Sequence, residues 1–308
     1  MLEILKNPNF DFLGKTKYFV GLSLLFIFGG FGYMLATGVY IGSHAKGYGV
    51  EFSGGTQLIL HFENTPENDR IRAAVPDATI QTYDAPSKNQ VLVRIAAADE
   101  VNLDSAANNA KAAIAAQYPE NKILESSSEI VGPTVGADLR QKAVQLTVWG
   151  LVFQLLYITW RFGGAIWGAA ATIAVFHDVL VTLAFLAFFK YEITLNIIAA
   201  LLTLVGYSVN DTIVIFDRAR ENLKTKKKDS LSKILNDSLN QTLTRTLISN
   251  GTTFLAVLGL FLFGGEVLRG FGFTMVIGIL VGTYSTIYIA SPIVVWWQKR
   301  QATRVPSA

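Results

Sequence analysis

Cysteine is absent from the 308 residues. That removes disulfides, thiolate metal sites and cysteine nucleophiles, and it leaves the redox compartment open. Charge is scarce too. Only 16% of the residues are Asp, Glu, Lys or Arg, against about a quarter in an ordinary soluble domain. The formal charge of +3 points to no particular partner. No stretch interleaves basic and aromatic residues on a soluble face, which argues against nucleic acid. The one sizeable polar segment holds no His, Asp or Glu cluster at ligand spacing. The expectation is therefore a protein that is not an enzyme and needs no metal or cofactor.

What is there instead is apolar, at 51% of the chain. Six long apolar runs, near 18–37, 143–161, 165–189, 195–216, 247–264 and 271–297, each approach the about 20 residues that cross a bilayer. The first is too long for the apolar core of a signal peptide and reads as a retained anchor. Six spans put both termini on one side, and the positive-inside rule names that side. Lys6, Lys15 and Lys17, then Arg161, then Arg218 to Lys233, then Lys299, Arg300 and Arg304 all fall on one face; the opposite short loops hold only Lys190 and Arg269. The expectation is a multi-pass protein of a bacterial inner membrane with both termini cytoplasmic. Its parts are a cytoplasmic N-terminus (1–17), a first span (18–37), a periplasmic domain (38–140), a five-helix membrane domain (141–298) with a cytoplasmic loop at 217–246, and a cytoplasmic tail (299–308).

Within the polar segment, TQLILHFE, ATIQTY, NQVLVRIA and KILESSSEIVG have strand character, and helical stretches follow the first and third. The order is βαββαβ, a ferredoxin-like α+β unit. The fold class is thus an α-helical polytopic membrane protein with six transmembrane helices and one periplasmic ferredoxin-like domain between spans one and two. Glycine-rich segments at 47–55 and 132–136 flank that domain and suggest a mobile docking element. Gly54 and Gly55 suit a tight turn, while Gly132, Pro133 and Gly136 suit the start of span two. Further on, Leu231, Ile234, Leu235, Leu239 and Leu243 recur at helical spacing. They mark an amphipathic helix lying at the inner interface, against a partner, or simply on the surface.

The chain is organised around NIIAALLTLVGYSVNDTIVIFDRAR, which places Asn210, Asp211 and Thr212 inside the fourth span. A carboxylate there costs a few kcal/mol and should face protein or water. The fifth span opens with TLTRTLISNGTTF. Counting at about 1.5 Å per residue puts Asp211 and Arg245 within a few Å in depth, close enough for an ion pair. Such a pair either alternates with protonation of Asp211 or pins two helices statically. In the third span, His177 and Asp178 lie near the middle, pointing about 100° apart and so not forming one site between them. They fit either a proton path or helix–helix hydrogen bonding.

GVEFSGGT (49–56, with Glu51 where Asp is more usual), VGPTVGADL (131–139), VGYSVNDTIVIFDRARENL (205–223) and LTRTLISNGTTFLAVLGLFLFGG (243–265) resemble the motifs of the SecD/SecF family, and among them those of SecF. The likeness extends over nearly the whole chain. It implies an RND-superfamily architecture, pairing with SecD, and use of the proton-motive force late in protein export through SecYEG, with YajC or YidC as further neighbours. The unfolded translocating polypeptide and membrane lipid would be its other contacts. It also implies that Asp211 and Arg245 belong to a proton path. The rival readings are half of an RND-type small-molecule or lipid exporter, and a non-conducting scaffold subunit.

Overall fold

The structure is a computed structural model that describes residues 8–41, 47–76, 78–83, 86–96, 103–226 and 228–302. Lys6, Lys227 and Arg304 lie outside them. Six helices are long and apolar enough to cross a membrane: Leu13–Thr37, Pro133–Phe162, Ala165–Phe188, Leu195–Thr225, Leu231–Phe263 and Val267–Gln301. The chain is a multi-pass membrane protein. Helix α1 (Thr16–Thr37) forms most of span one; α5 (Pro133–Phe162), α6 (Ala165–Phe188), α7 (Leu195–Thr225) and α8 (Leu231–Phe263) are spans two to five. Span six is built from α9 (Gly265–Ser285), a π-helical turn at Thr286–Ala290 and α10 (Ser291–Ala302).

The helices run past their apolar cores. Pro133, whose missing N–H costs nothing at a helix start, opens α5 well before the apolar run. Ser230 caps α8 by accepting from the Lys233 N–H, and α8 then continues unbroken from Leu231 to Phe263 in the membrane. The apolar positions Ile234, Leu235 and Leu239 are buried in this chain's own core, so they are covered from within. Most of the expected loop at 217–246 is therefore helical.

In spans three, four and six at least half of the apolar stretch is buried, while in spans one, two and five few residues are. A core running from Ile158 and Ala171 through Val205 and Phe216 to Ala290 joins the inner helices. Helix interiors rich in Ala and Gly permit close approach.

Between spans one and two, short α2 (Val50–Ser53) leads into β1 (Gly55–Phe62), α3 (Asn68–Ala74), β2 (Ala78–Tyr83), β3 (Gln90–Ala96), α4 (Leu103–Gln117) and β4 (Ile123–Val131). The sheet order is β2-β3-β1-β4, antiparallel throughout. This is the expected βαββαβ arrangement. Strand β1 alternates strictly: Leu58, Leu60 and Phe62 point into a core shared with Ile71, Val91, Val93 and Ile114. The other face, carrying Gln57 and Ile59, turns to the membrane helices.

The glycine-rich segments are packed against each other rather than hanging free. Gly54, at φ +74°, lies so close to Pro133 that a Cβ there would come within 2.7 Å of its backbone. Gly136 in turn abuts the backbone of Phe52 and Gly54. Gly55 is also at positive φ, 135°, and pairs with Val131 across the sheet. The start of the outer domain and the start of span two thus form one backbone-to-backbone junction.

Candidate functional site

Asp211 is buried on span four, and its Oδ2 accepts a hydrogen bond from Asn250 Nδ2 of span five at 2.5 Å. The same amide donates to Thr283 Oγ1 of span six at 2.5 Å. Tyr207, one turn before Asp211, donates its hydroxyl to Asn250 Oδ1 at 3.0 Å. Thr212 turns to span six, its hydroxyl 3.0 Å from that of Thr286. The amide of Asn250, not the guanidinium of Arg245, is thus what meets the carboxylate. Arg245 is exposed on span five, five residues and about 7.5 Å along the helix from Asn250. It makes no ion pair with Asp211 among the described residues, though it stays within electrostatic reach. The depth count brought Arg245 to within a few Å of Asp211, but a count along the axis does not say which face or which turn of span five meets span four, and Asn250 lies little more than a turn from Arg245. Asn210 points away from the cluster and is exposed.

Asp178 on span three is fully buried. Its Oδ2 accepts from Ser208 of span four at 2.5 Å and from Ser285 of span six at 2.9 Å. His177 does reach it: Nδ1 lies 3.0 Å from Asp178 Oδ1. The expectation that adjacent side chains 100° apart form no common site is corrected here, since the imidazole folds back along its own helix. His177 Nε2 is buried without a partner among the described residues and borders an apolar crevice between spans one, three and six.

A third cluster sits where the outer sheet meets the membrane helices. Arg94 of β3 is ion-paired with Glu192, in the connection between spans three and four. A cavity of about 530 Å³ lies here, bordered by Glu51, Gln57, Tyr83, Arg94, Glu129 and Glu192 among others. Two backbone bonds clasp the junction, Gly49 N–H to Ile193 O (2.9 Å) and Ile193 N–H to Gly47 O (2.7 Å). Tyr40 adds its hydroxyl to Tyr191 O. Glu51 reaches the backbone N–H of Leu195, the first residue of α7, where a carboxylate is favoured by the helix dipole. Burial nevertheless pushes its pKa above the ordinary value, helped by the nearby charge of Glu129 and opposed by Arg94. Among the expected structural residues, Glu51, Gly54, Gly55, Gly132, Pro133 and Gly136 all lie at this junction.

Sequence reasoning missed Arg94 and Glu192, and it missed the whole contribution of span six. The one signal for Arg94 was a guanidinium inside the apolar strand QVLVRIA. Thr283, Ser285 and Thr286 carried no signal, because hydroxyls are unremarkable in a membrane helix.

Compared with known proteins, residues 110–300 match the family described as protein export membrane protein SecD/SecF, C-terminal. The protein translocase subunit SecF of Koribacter versatilis is 35% identical, over 100% of this chain and 96% of that one. The SecF of Calditerrivibrio nitroreducens is 39% identical, over 95% and 96%. The crystal structure of SecDF, a translocon-associated membrane protein from Thermus thermophilus, superposes with a TM-score of 0.81 at 35% identity, covering 96% of this chain. This chain spans only 39% of that longer protein. Matched over its full length to SecF subunits and to one part of SecDF, the chain belongs to the SecD/SecF family of protein export membrane proteins.

Proposed function

We infer that this protein is a subunit of the Sec translocase that uses the proton-motive force to assist late steps of translocation through SecYEG, paired with a SecD-type companion. The observation that carries the reading is Asp211: a carboxylate buried mid-span, held by a neutral amide rather than a cation, with Arg245 nearby and unengaged with it. That geometry suits a group that takes up and releases one proton. An Asp can do so, whereas Arg keeps its proton. In this reading Arg245 swings toward Asp211 when the carboxylate is ionised and away when it is protonated.

A companion is supported by polar groups left on the outside of the spans. Asn210 on span four and Arg245 on span five are exposed, although such groups within hydrocarbon belong against protein or water; Thr203 and Thr252 are exposed on the same spans, with their hydroxyls bonded to Ala199 O and Ile248 O of their own helices. A second six-span set of the kind that makes up the rest of the longer SecDF protein would cover them. The distribution of basic residues along the chain favours cytoplasmic termini and a periplasmic outer domain, placed to meet the emerging polypeptide.

One observation favours an exporter of small molecules: the junction cavity falls in the ligand-sized range of about 300–1,000 Å³. Its Arg94 and Glu192, however, are engaged with each other, and the full-length relatives are translocase subunits. The companion is tested by placing cysteines at Asn210 and Thr252 in this cysteine-free chain and oxidising native membranes that contain a SecD partner carrying cysteines on its own fourth span. Cross-linking from these positions, and none from Phe153, exposed on span two, is expected. Equal yields from all three would reject the shared face.

A further inference from the structure

Span six makes four consecutive contacts with four different helices. Thr283 Oγ1 accepts from Asn250 of span five. Tyr284 donates its hydroxyl to Phe19 O of span one and lies 2.5 Å from Ser23 Oγ of the same span. Ser285 donates to Asp178 of span three. Thr286 meets Thr212 of span four. Successive helical residues point about 100° apart, so four in a row sweep about 300° of the circle. A helix can bond in every direction only if neighbours surround it. The π-helical turn Thr286–Ala290 follows directly, and such turns are rare and concentrate at functional sites.

We propose that the turn Thr283–Thr286 is the element that carries a charge change at Asp211 to span one, and through span one to the outer domain. This rests on the proton reading of Asp211. The Asn250 amide donates both to the carboxylate and to Thr283. A bond from an amide to an ionised carboxylate is about twice as strong as one between neutral groups. Adding one proton to Asp211 weakens that bond and changes the pull of Asn250 on Thr283. The next residue, Tyr284, holds span one by two hydrogen bonds, and Tyr288, one turn on, stacks on Phe19 with ring centroids 3.8 Å apart. Span one leads to Tyr40 and the clasp at Gly47–Gly49. The titratable and charged groups facing this turn are Asp178 and His177 from span three, Asp211 and Tyr207 from span four, Tyr288 from span six itself, and Arg245 further along span five. Asp178 is bound by two serines and His177, which fixes the side of the turn opposite Asp211.

The test uses the full chain in lipid nanodiscs, with spin labels at Arg72→Cys in the outer domain and Lys190→Cys at the membrane surface. Infrared absorption of the protonated carboxyl, assigned by its loss in Asp211→Asn, gives the titration of Asp211. Electron–electron distance measurements on either side of that titration give the position of the outer domain. The wild type is expected to shift its distance distribution with the titration. Tyr284→Phe is expected to titrate at Asp211 as before while losing at least half of the shift. Ser23→Ala cuts the same tie from span one and carries the test if Tyr284→Phe fails to fold. If Asp211 titrates but the wild type does not move, or both variants move as the wild type does, the proposal is overturned. If Asp211 does not titrate at all, the proton reading falls and this proposal falls with it.

Discussion

Removing either partner of the Arg94–Glu192 ion pair should loosen the outer domain, and the two removals should differ. The side chains are 17% and 20% exposed. Breaking a fully buried pair from one side costs about 3–5 kcal/mol, and an exposed pair is worth about 0–1 kcal/mol. Glu192→Gln leaves Arg94 with Glu51 and Glu129 still in electrostatic range, so we expect a cost of about 2 kcal/mol, or about 30-fold in the docking equilibrium. Arg94→Gln leaves Glu51, Glu129 and Glu192 together around one cavity with their shared cation gone. There we expect about 3 kcal/mol, or about 150-fold. Hydrogen exchange reads both. The amides of Gly49 and Ile193 are bonded across the junction and exchange only when it opens, whereas Leu58 and Val93 sit in the outer domain's own core. Exchange at Gly49 and Ile193 should quicken by these factors with Leu58 and Val93 unchanged. Equal effects of the two substitutions, or no effect at the junction amides, would refute the reasoning.

Gly54→Ala should destabilise the junction by about 1–3 kcal/mol, the cost of holding an L-residue in an extended positive-φ conformation essentially restricted to glycine, with more from the overlap with Pro133. Gly21→Ala, which meets nothing within 4 Å, should be silent in the same thermal unfolding experiment. Glu51 should make the junction pH-dependent. Its pKa is raised by folding from the ordinary 4.5, so its contribution is fully present below that value and is lost as pH rises through the raised one. Exchange at Ile193 should therefore quicken over that rise, and Glu51→Gln should flatten the profile. Asn250→Leu should remove the amide that holds Asp211 and leave a buried acceptor without its donor, at a cost of about 1–3 kcal/mol read as a lower thermal unfolding midpoint.

Much of the architecture was legible in the sequence. Long apolar runs announce spans because a bilayer has a fixed thickness, and the strand alternation of TQLILHFE shows in Leu58, Leu60 and Phe62 sharing one face. The site was legible only in part. Asp211 stood out because a carboxylate in an apolar run has no bland explanation, and Gly54 and Gly136 because glycines recur where backbones touch. Which group meets Asp211 was not legible. Arg245 and Asn250 are little more than a turn apart, and helix tilt decides between them. Asp178 and His177 were read as diverging because the 100° rule describes where side chains leave the helix, not where a long ring ends. The bonds of Thr283 to Thr286 depend on which helix lies on each side, which is tertiary information.

The function proposed above requires Asp211 to couple protons to export. It is tested by preprotein translocation into inverted membrane vesicles containing the Sec channel and the full complex, with and without a proton gradient, comparing the wild type with Asp211→Asn. The substitution keeps the size of the side chain and abolishes its titration. The gradient should stimulate the wild type and leave Asp211→Asn unstimulated, and the companion should still co-purify with the variant. Full stimulation of Asp211→Asn by the gradient would contradict the proposed function.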